Sequence, residues 1–196
     1  MNLKDLLERS DYRCVQGDVD TEISSLVYDS RKIEEGSVFV CISGAAFDGH
    51  EFAGQAAEKG AAAVVVEKEV EVPEGITVIR VEDTRLALAE MSAAYFGYPA
   101  EKLTTIGITG TKGKTTITYM IRQVLEHAGQ KTGLIGTIET IIGEERIPSV
   151  NTTPESYVVQ ESFRKMVDAG CRNVVMEVSS QGLMLHRVSG FTFDYG

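Results

Sequence analysis

The chain has 196 residues, a length that suits one large domain or two small ones. Its 43% hydrophobic content is ample for a packed core, and its formal net charge of −10 argues against nucleic acid and anionic membranes as partners. An anionic ligand must therefore be held by local devices: loop amides, single lysines or arginines, and a divalent cation.

The N-terminus, Met1-Asn2-Leu3-Lys4-Asp5-Leu6-Leu7, opens an amphipathic helix and is not a signal peptide. No apolar run is long enough to span a bilayer. Cys14, Cys41 and Cys171 are widely spaced and follow no zinc or redox pattern, so they read as reduced, small core residues of a cytosolic protein. Residues 25–28 and 37–42 read as two short strands around a turn. Asp48 to Lys59 reads as a helix, with Asp48 and Glu51 spaced like a capping box. Residues 61–66 form a continuous apolar strand and 76–81 an alternating one. Asp83 to Phe96 is a helix whose apolar side carries Leu86, Leu88, Ala89, Met91 and Ala93.

Tyr98-Pro99-Ala100-Glu101-Lys102 marks a boundary and predicts two domains, 1–98 and 99–196. Beyond it the predicted order is strand (103–109), helix (114–127), strand (131–137), a short hairpin-like segment (138–150), helix (154–169) and strand (172–178). Thr153-Pro154 reads as a helix start, with a hydroxyl N-cap followed by proline at the first helical position. Alternating units of this length predict an α/β architecture with a parallel sheet. Phe191 to Gly196 looks like a strand begun and then cut, as in a piece of a longer protein.

The most informative stretch is Gly110-Thr111-Lys112-Gly113-Lys114-Thr115-Thr116. It follows an apolar β-branched run and opens a helical pattern, the context that makes a glycine-rich lysine motif a phosphate site. Gly110 and Gly113 permit a sharp turn and close approach to an anion. The free amides of the helix start, with the helix dipole, attract phosphate oxygens. Lys114 is placed for the β/γ oxygens and Thr115 for magnesium. The motif departs from the strict P-loop pattern, because position 108 is Ile108 where the first glycine should fall.

Three further clusters admit two readings each. Glu177 ends a buried-type strand and is either a magnesium ligand beside the phosphate loop or a salt-bridged strand-end carboxylate. Asn151-Thr152-Thr153 is a helix cap, or also a donor set for an anionic substrate. Asp29-Ser30-Arg31 is an ordinary turn or a polar binding cluster. In Ser179 to Val188, Arg187 suits a carboxylate or phosphate better than His186 suits catalysis.

Together these segments resemble the Mur ligase family. The residues that carry the resemblance are Tyr28-Asp29-Ser30-Arg31, Gly44 through His50, Glu82 through Arg85, Thr109 through Thr116, Asn151 through Glu155, and Met176 through Arg187. The resemblance implies an N-terminal UDP-sugar-binding domain followed by the first half of a central P-loop ATPase domain. Tyr28, Ser30 and the loop Ala45-Ala46-Phe47 would bind the UDP-sugar. Asn151, Thr152, Thr153, Ser179, Leu185 and Arg187 would hold the muramoyl-dipeptide. Gly110 to Thr116 would bind ATP, with Thr115 and Glu177 on Mg2+, and Lys114 and Glu177 catalytic. The implied reaction is ATP-dependent addition of a diamino acid, meso-diaminopimelate or L-lysine, to UDP-MurNAc-L-Ala-D-Glu through an acyl phosphate, in cytoplasmic peptidoglycan synthesis. The family's carbamylated lysine and C-terminal domain would lie beyond Gly196, so the chain alone is expected to be inactive. The loop Ala45-Ala46-Phe47, Gln181 and Leu185 depart from residues common in relatives. A plain UDP-sugar or nucleotide-binding module, or another P-loop NTPase, are the competing readings.

Overall fold

The computed structural model describes residues 1–44 and 47–196. The chain divides into two compact units, Met1–Tyr95 and Phe96–Gly196.

In the first unit, α1 (Leu3–Leu6) precedes β1 (Arg13–Gln16), β2 (Leu26–Val27), β3 (Val38–Val40), α2 (Ala53–Glu58), β4 (Ala63–Val66), β5 (Thr77–Arg80) and α3 (Thr84–Tyr95). The sheet order is β1-β5-β4-β3-β2. All neighbours are parallel except β1, which pairs antiparallel with β5. Every residue of β4 is buried, which explains its unbroken apolar run. Phe39, Cys41, Ala56, Val64 and Val66 share one core cluster.

The two strands of 25–43 are parallel, and a 3₁₀ turn, Ser30–Lys32, lies between them. The helix predicted from Asp48 begins instead as a 3₁₀ turn, Gly49–Phe52, and becomes α-helical only at Ala53. Asp48 accepts from the amide of His50 at 3.1 Å, two residues on, which tightens the first turn. At α3, Asp83 accepts from the amides of Arg85 and Leu86 at 2.7 and 2.9 Å. Glu67 accepts from both the amide and the hydroxyl of Thr84, each at 2.7 Å.

In the second unit the elements are β6 (Thr104–Ile108), α4 (Lys114–His127), β7 (Thr132–Ile135), β8 (Glu139–Ile142), β9 (Glu145–Pro148), α5 (Ser156–Asp168), β10 (Asn173–Glu177) and α6 (Ser180–Met184). The sheet order is β6-β10-β7-β8-β9. The expected parallel sheet is therefore mixed: β6, β10 and β7 run parallel, and β8 and β9 add an antiparallel hairpin. The hairpin is the segment 138–150, where Gly143 at φ 61° makes the turn.

Val174 and Met176 of β10 pack into the core with Val159, Phe163 and Met166 of α5. Alternation then directs Glu177 to the opposite face, toward α4. The helix predicted from Thr153-Pro154 starts later, with Glu155 as N-cap and Ser156 first. Thr153 does not cap it. Its buried hydroxyl donates to the Glu177 carbonyl and accepts from the Ser179 amide, both at 3.0 Å.

The segment 191–196 forms a single parallel bridge, Tyr195 to Ile106, rather than a strand. It is fixed by side chains. Phe191 and Phe193 stack edge-on at 4.9 Å, and Phe191 does so with Phe163 at 5.1 Å. Asp194 accepts from the amide and hydroxyl of Thr105, which holds its carboxyl below the usual range.

Candidate functional site

Three groups of residues meet at the carboxyl ends of the parallel strands β6, β10 and β7. Register brings Glu177 level with Ile108, and Met176 level with Ile135. The loops leaving these strands thus emerge side by side, where open α/β sheets place ligands.

The first segment is the glycine loop. Gly110 has φ 138° and Gly113 φ 82°, conformations that L side chains rarely adopt. Gly113 is the N-cap of α4 and gives it no side-chain bond, so the first amides of the helix are left for another partner. Lys114 folds back, its Nζ donating to the Gly110 carbonyl at 2.7 Å. Thr111, Lys112 and Thr116 are exposed.

The second is the end of β10. Glu177 is 1% exposed, yet its carboxylate meets three donors. Thr115 Oγ1 donates to Oε2 at 3.0 Å. The Thr137 amide donates to Oε1 at 2.8 Å, and Thr137 Oγ1 to Oε2 at 3.1 Å. Among the described residues Glu177 forms no salt bridge; its contacts are two hydroxyls and an amide.

The third is the pair of loops 149–155 and 179–187. Thr152 Oγ1 lies 3.0 Å from Thr137 Oγ1. Asn151 is exposed. Ser179 caps α6, its Oγ accepting from the Gly182 amide at 3.0 Å. Arg187 Nη1 donates to the Thr153 carbonyl at 3.1 Å, and its Nε stands 3.4 Å from Glu155 Oε1. Leu185 is half-buried at the end of α6.

The residues Tyr28, Ser30 and Phe47 belong to the first unit. Ser30 opens the 3₁₀ turn and its carbonyl accepts from Lys59 Nζ at 2.8 Å. Beside it the hydrogen bonds from Arg31 hold the Asp29 carboxyl down at about 2. Tyr28 is half-buried, and Phe47 is 74% exposed. Ala45 and Ala46 lie outside the described residues. Asp48 bonds Ser43, His50 and Lys68. His50 Nε2 accepts from the Glu67 amide at 3.0 Å, so its other nitrogen carries the proton toward Asp48. Cys41 is an inert thiol: burial, then the nearby Asp48, pushes it up to about 12. Cys171 is buried as expected, whereas Cys14, expected in the core, is exposed on the edge strand β1.

Sequence reasoning passed over Gly136 and Thr137. A glycine and a hydroxyl directly after a fully buried strand repeat the pattern of Thr109-Gly110 after β6, and that was the available signal.

Residues 108–196 match the model of the Mur ligase middle domain, and residues 22–96 match that of the Mur ligase family, catalytic domain. The UDP-N-acetylmuramoyl-L-alanyl-D-glutamate--2,6-diaminopimelate ligase of Clostridium perfringens is 52% identical over 196 residues, covering 100% of this chain and 40% of the relative. The enzyme of the same name from Bacillus licheniformis is 49% identical over 178 residues, covering 91% of this chain and 36% of the relative. The chain thus spans about 40% of the length of such relatives. Among solved structures, a ligase of that name superposes with a TM-score of 0.81 at 24% identity, over 100% of this chain and 40% of that one. MurF from Acinetobacter baumannii gives 0.62 at 24% identity, over 91% and 36%. These structural matches establish the shared fold.

Proposed function

This chain belongs to the Mur ligase family, as N-terminal and middle domains, and on that premise we propose that it is the nucleotide-binding part of a ligase that adds a diamino acid to UDP-MurNAc-L-Ala-D-Glu. The names of the similar enzymes favour 2,6-diaminopimelate over L-lysine as that diamino acid. The single observation that supports the site most is the 3.0 Å contact of Thr115 with the buried Glu177 at the mouth of the glycine loop.

The donor set fits a magnesium nucleotide. One hydroxyl and one carboxylate offer hard oxygens, and magnesium ordinarily adds waters and phosphate oxygens to so small a protein set. Thr115 and Glu177 would hold the ion, which would offset the repulsion between two anions brought together. The left-handed Gly110 and Gly113 let loop amides face phosphate oxygens. Lys114 would leave the Gly110 carbonyl for the β/γ oxygens. A carboxylate is a poor acyl donor, so ligation needs it converted to an acyl phosphate before an amine attacks. No nucleophilic side chain is required for that step. Asn151, Thr152 and Arg187 would orient the dipeptide, with Thr153 and Ser179 fixing the two loops that present them. Tyr28, Ser30 and the loop 45–47 would bind the UDP-sugar. The 196 residues are expected to bind ligands without ligating them, and the whole enzyme would act in the cytoplasm. Among the described residues no helix is long and apolar enough to cross a membrane.

Thermal unfolding tests this reading. At 100-fold over Kd a ligand adds about 2.7 kcal/mol, a shift of roughly 5–10 °C for a chain of this size. Shifts are expected with UDP-MurNAc-L-Ala-D-Glu and with Mg-ATP. A shift with Mg-ATP and none with the muramoyl dipeptide would replace the ligase reading by that of a general nucleotide-binding protein.

A further inference from the structure

Thr137 sits in the loop after β7 and carries none of the family's sequence signals used above, yet it makes more contacts to Glu177 than Thr115 does. Its amide holds Oε1 and its hydroxyl holds Oε2, at 2.8 and 3.1 Å. The neighbouring backbone closes the same oxygen in. A Cβ built on Gly136 would stand 2.5 Å from Glu177 Oε1. The carboxylate is thus fixed on one side by the loop and on the other by Thr115 at 3.0 Å.

Bond directions follow from the chemistry of the partners. A carboxylate oxygen only accepts, so the single hydroxyl hydrogen of Thr137 goes to Glu177. The 3.0 Å contact with Thr152 must then be donated by Thr152 Oγ1. This gives a directed relay, Thr152 to Thr137 to Glu177, in which each bond polarises the next. It runs from the loop 149–155 to the carboxylate that faces the glycine loop.

Resting on the nucleotide-site reading above, we propose that Thr137 is a positioning residue that orients Glu177 for the divalent cation and ties that orientation to the Thr152 loop. The hydroxyl acts through Glu177 and touches no phosphate. It matters for the cation-dependent part of nucleotide binding and not for the glycine loop's own hold on the phosphates.

The test is calorimetric titration of the chain with ATP, once with excess Mg2+ and once with EDTA, in wild type, Thr137→Val and Thr137→Ser. The quantity read is the ratio of the two affinities, which general loosening of the structure does not alter. Loss of a hydrogen bond to a charged group should lower that ratio about 10-fold in Thr137→Val. Thr137→Ser, which keeps the hydroxyl, should restore it. Affinity in EDTA should stay within about 2-fold throughout, as for a substitution outside the loop itself. Thr152→Val leaves the donors of Glu177 in place and should lower the ratio about 3-fold. A Thr137→Val ratio equal to wild type, or one that serine fails to restore, overturns the proposal while leaving the nucleotide site intact. Absence of any Mg2+-dependent ATP binding in wild type would instead remove the nucleotide reading, and the proposal with it.

Discussion

Glu177 reaches its place because the residue beside it has no side chain. A Cβ on Gly136 would lie 2.5 Å from Oε1 and 3.3 Å from Cδ. Swinging the carboxylate aside would break its bonds to Thr115 and Thr137. Gly136→Ala is therefore expected to cost roughly 1–3 kcal/mol, the usual cost of overpacking, read from the urea midpoint. An unchanged midpoint would mean that Glu177 moves freely. At this scale the sequence was informative where a residue's chemistry and its place in the pattern agreed. Lys114 and Thr115 stood inside a glycine loop, and Glu177 ended an apolar run. Thr137 escaped notice because the strand was expected to run to residue 137, whereas it ends at Ile135 and leaves the threonine in a loop. Thr153 was legible as a polar residue before a helix, but not as one that gives its hydroxyl to the end of β10. Contacts between residues 24 and 26 positions apart leave no local trace.

Elements were more legible than their ends. Apolar periodicity identified α3, α4, α5, the buried strands β4 and β10 and the half-buried β6. It could not give the direction of β2 against β3, which depends on how the chain crosses between them, nor the antiparallel edge strand β1, whose residues are largely exposed. The start of α3 shows how a boundary is settled by distant partners. Glu67, at the end of β4, accepts from the amide and hydroxyl of Thr84, a residue with 0% exposure. Glu67→Ala would leave both donors buried and unpaired. The expected loss is about 1–3 kcal/mol, measured by chemical denaturation and by earlier exchange of the first α3 amides. A loss below the error of the measurement would show that water reaches Thr84 in place of the carboxylate. α4 carries its apolar stripe differently from α3: Ile117, Met120 and Val124 are exposed and, with Ile106, line a groove of about 380 Å³. The sequence pattern predicted the helix without revealing which face would be covered.

For the molecule as a whole, charge and chemistry pull in opposite directions. A chain with a net charge of −10 would, on the proposed reading, take anionic ligands through small constructions: two left-handed glycines, one lysine, and a hydroxyl–carboxylate pair suited to a hard cation. Fold and family are carried by both units, each matched to a Mur ligase model and jointly similar to a solved ligase at a TM-score of 0.81. The central functional claim is that residues 110–116 with Glu177 form a magnesium-nucleotide site. Equilibrium titration of Mg-ATP into the wild-type chain and into Lys114→Ala measures it most directly. Saturable binding at one site in the wild type, weakened roughly 10-fold or more by loss of a charge-assisted phosphate contact, is the expected result. Equal affinity in the two proteins, or no binding by the wild type, would contradict it.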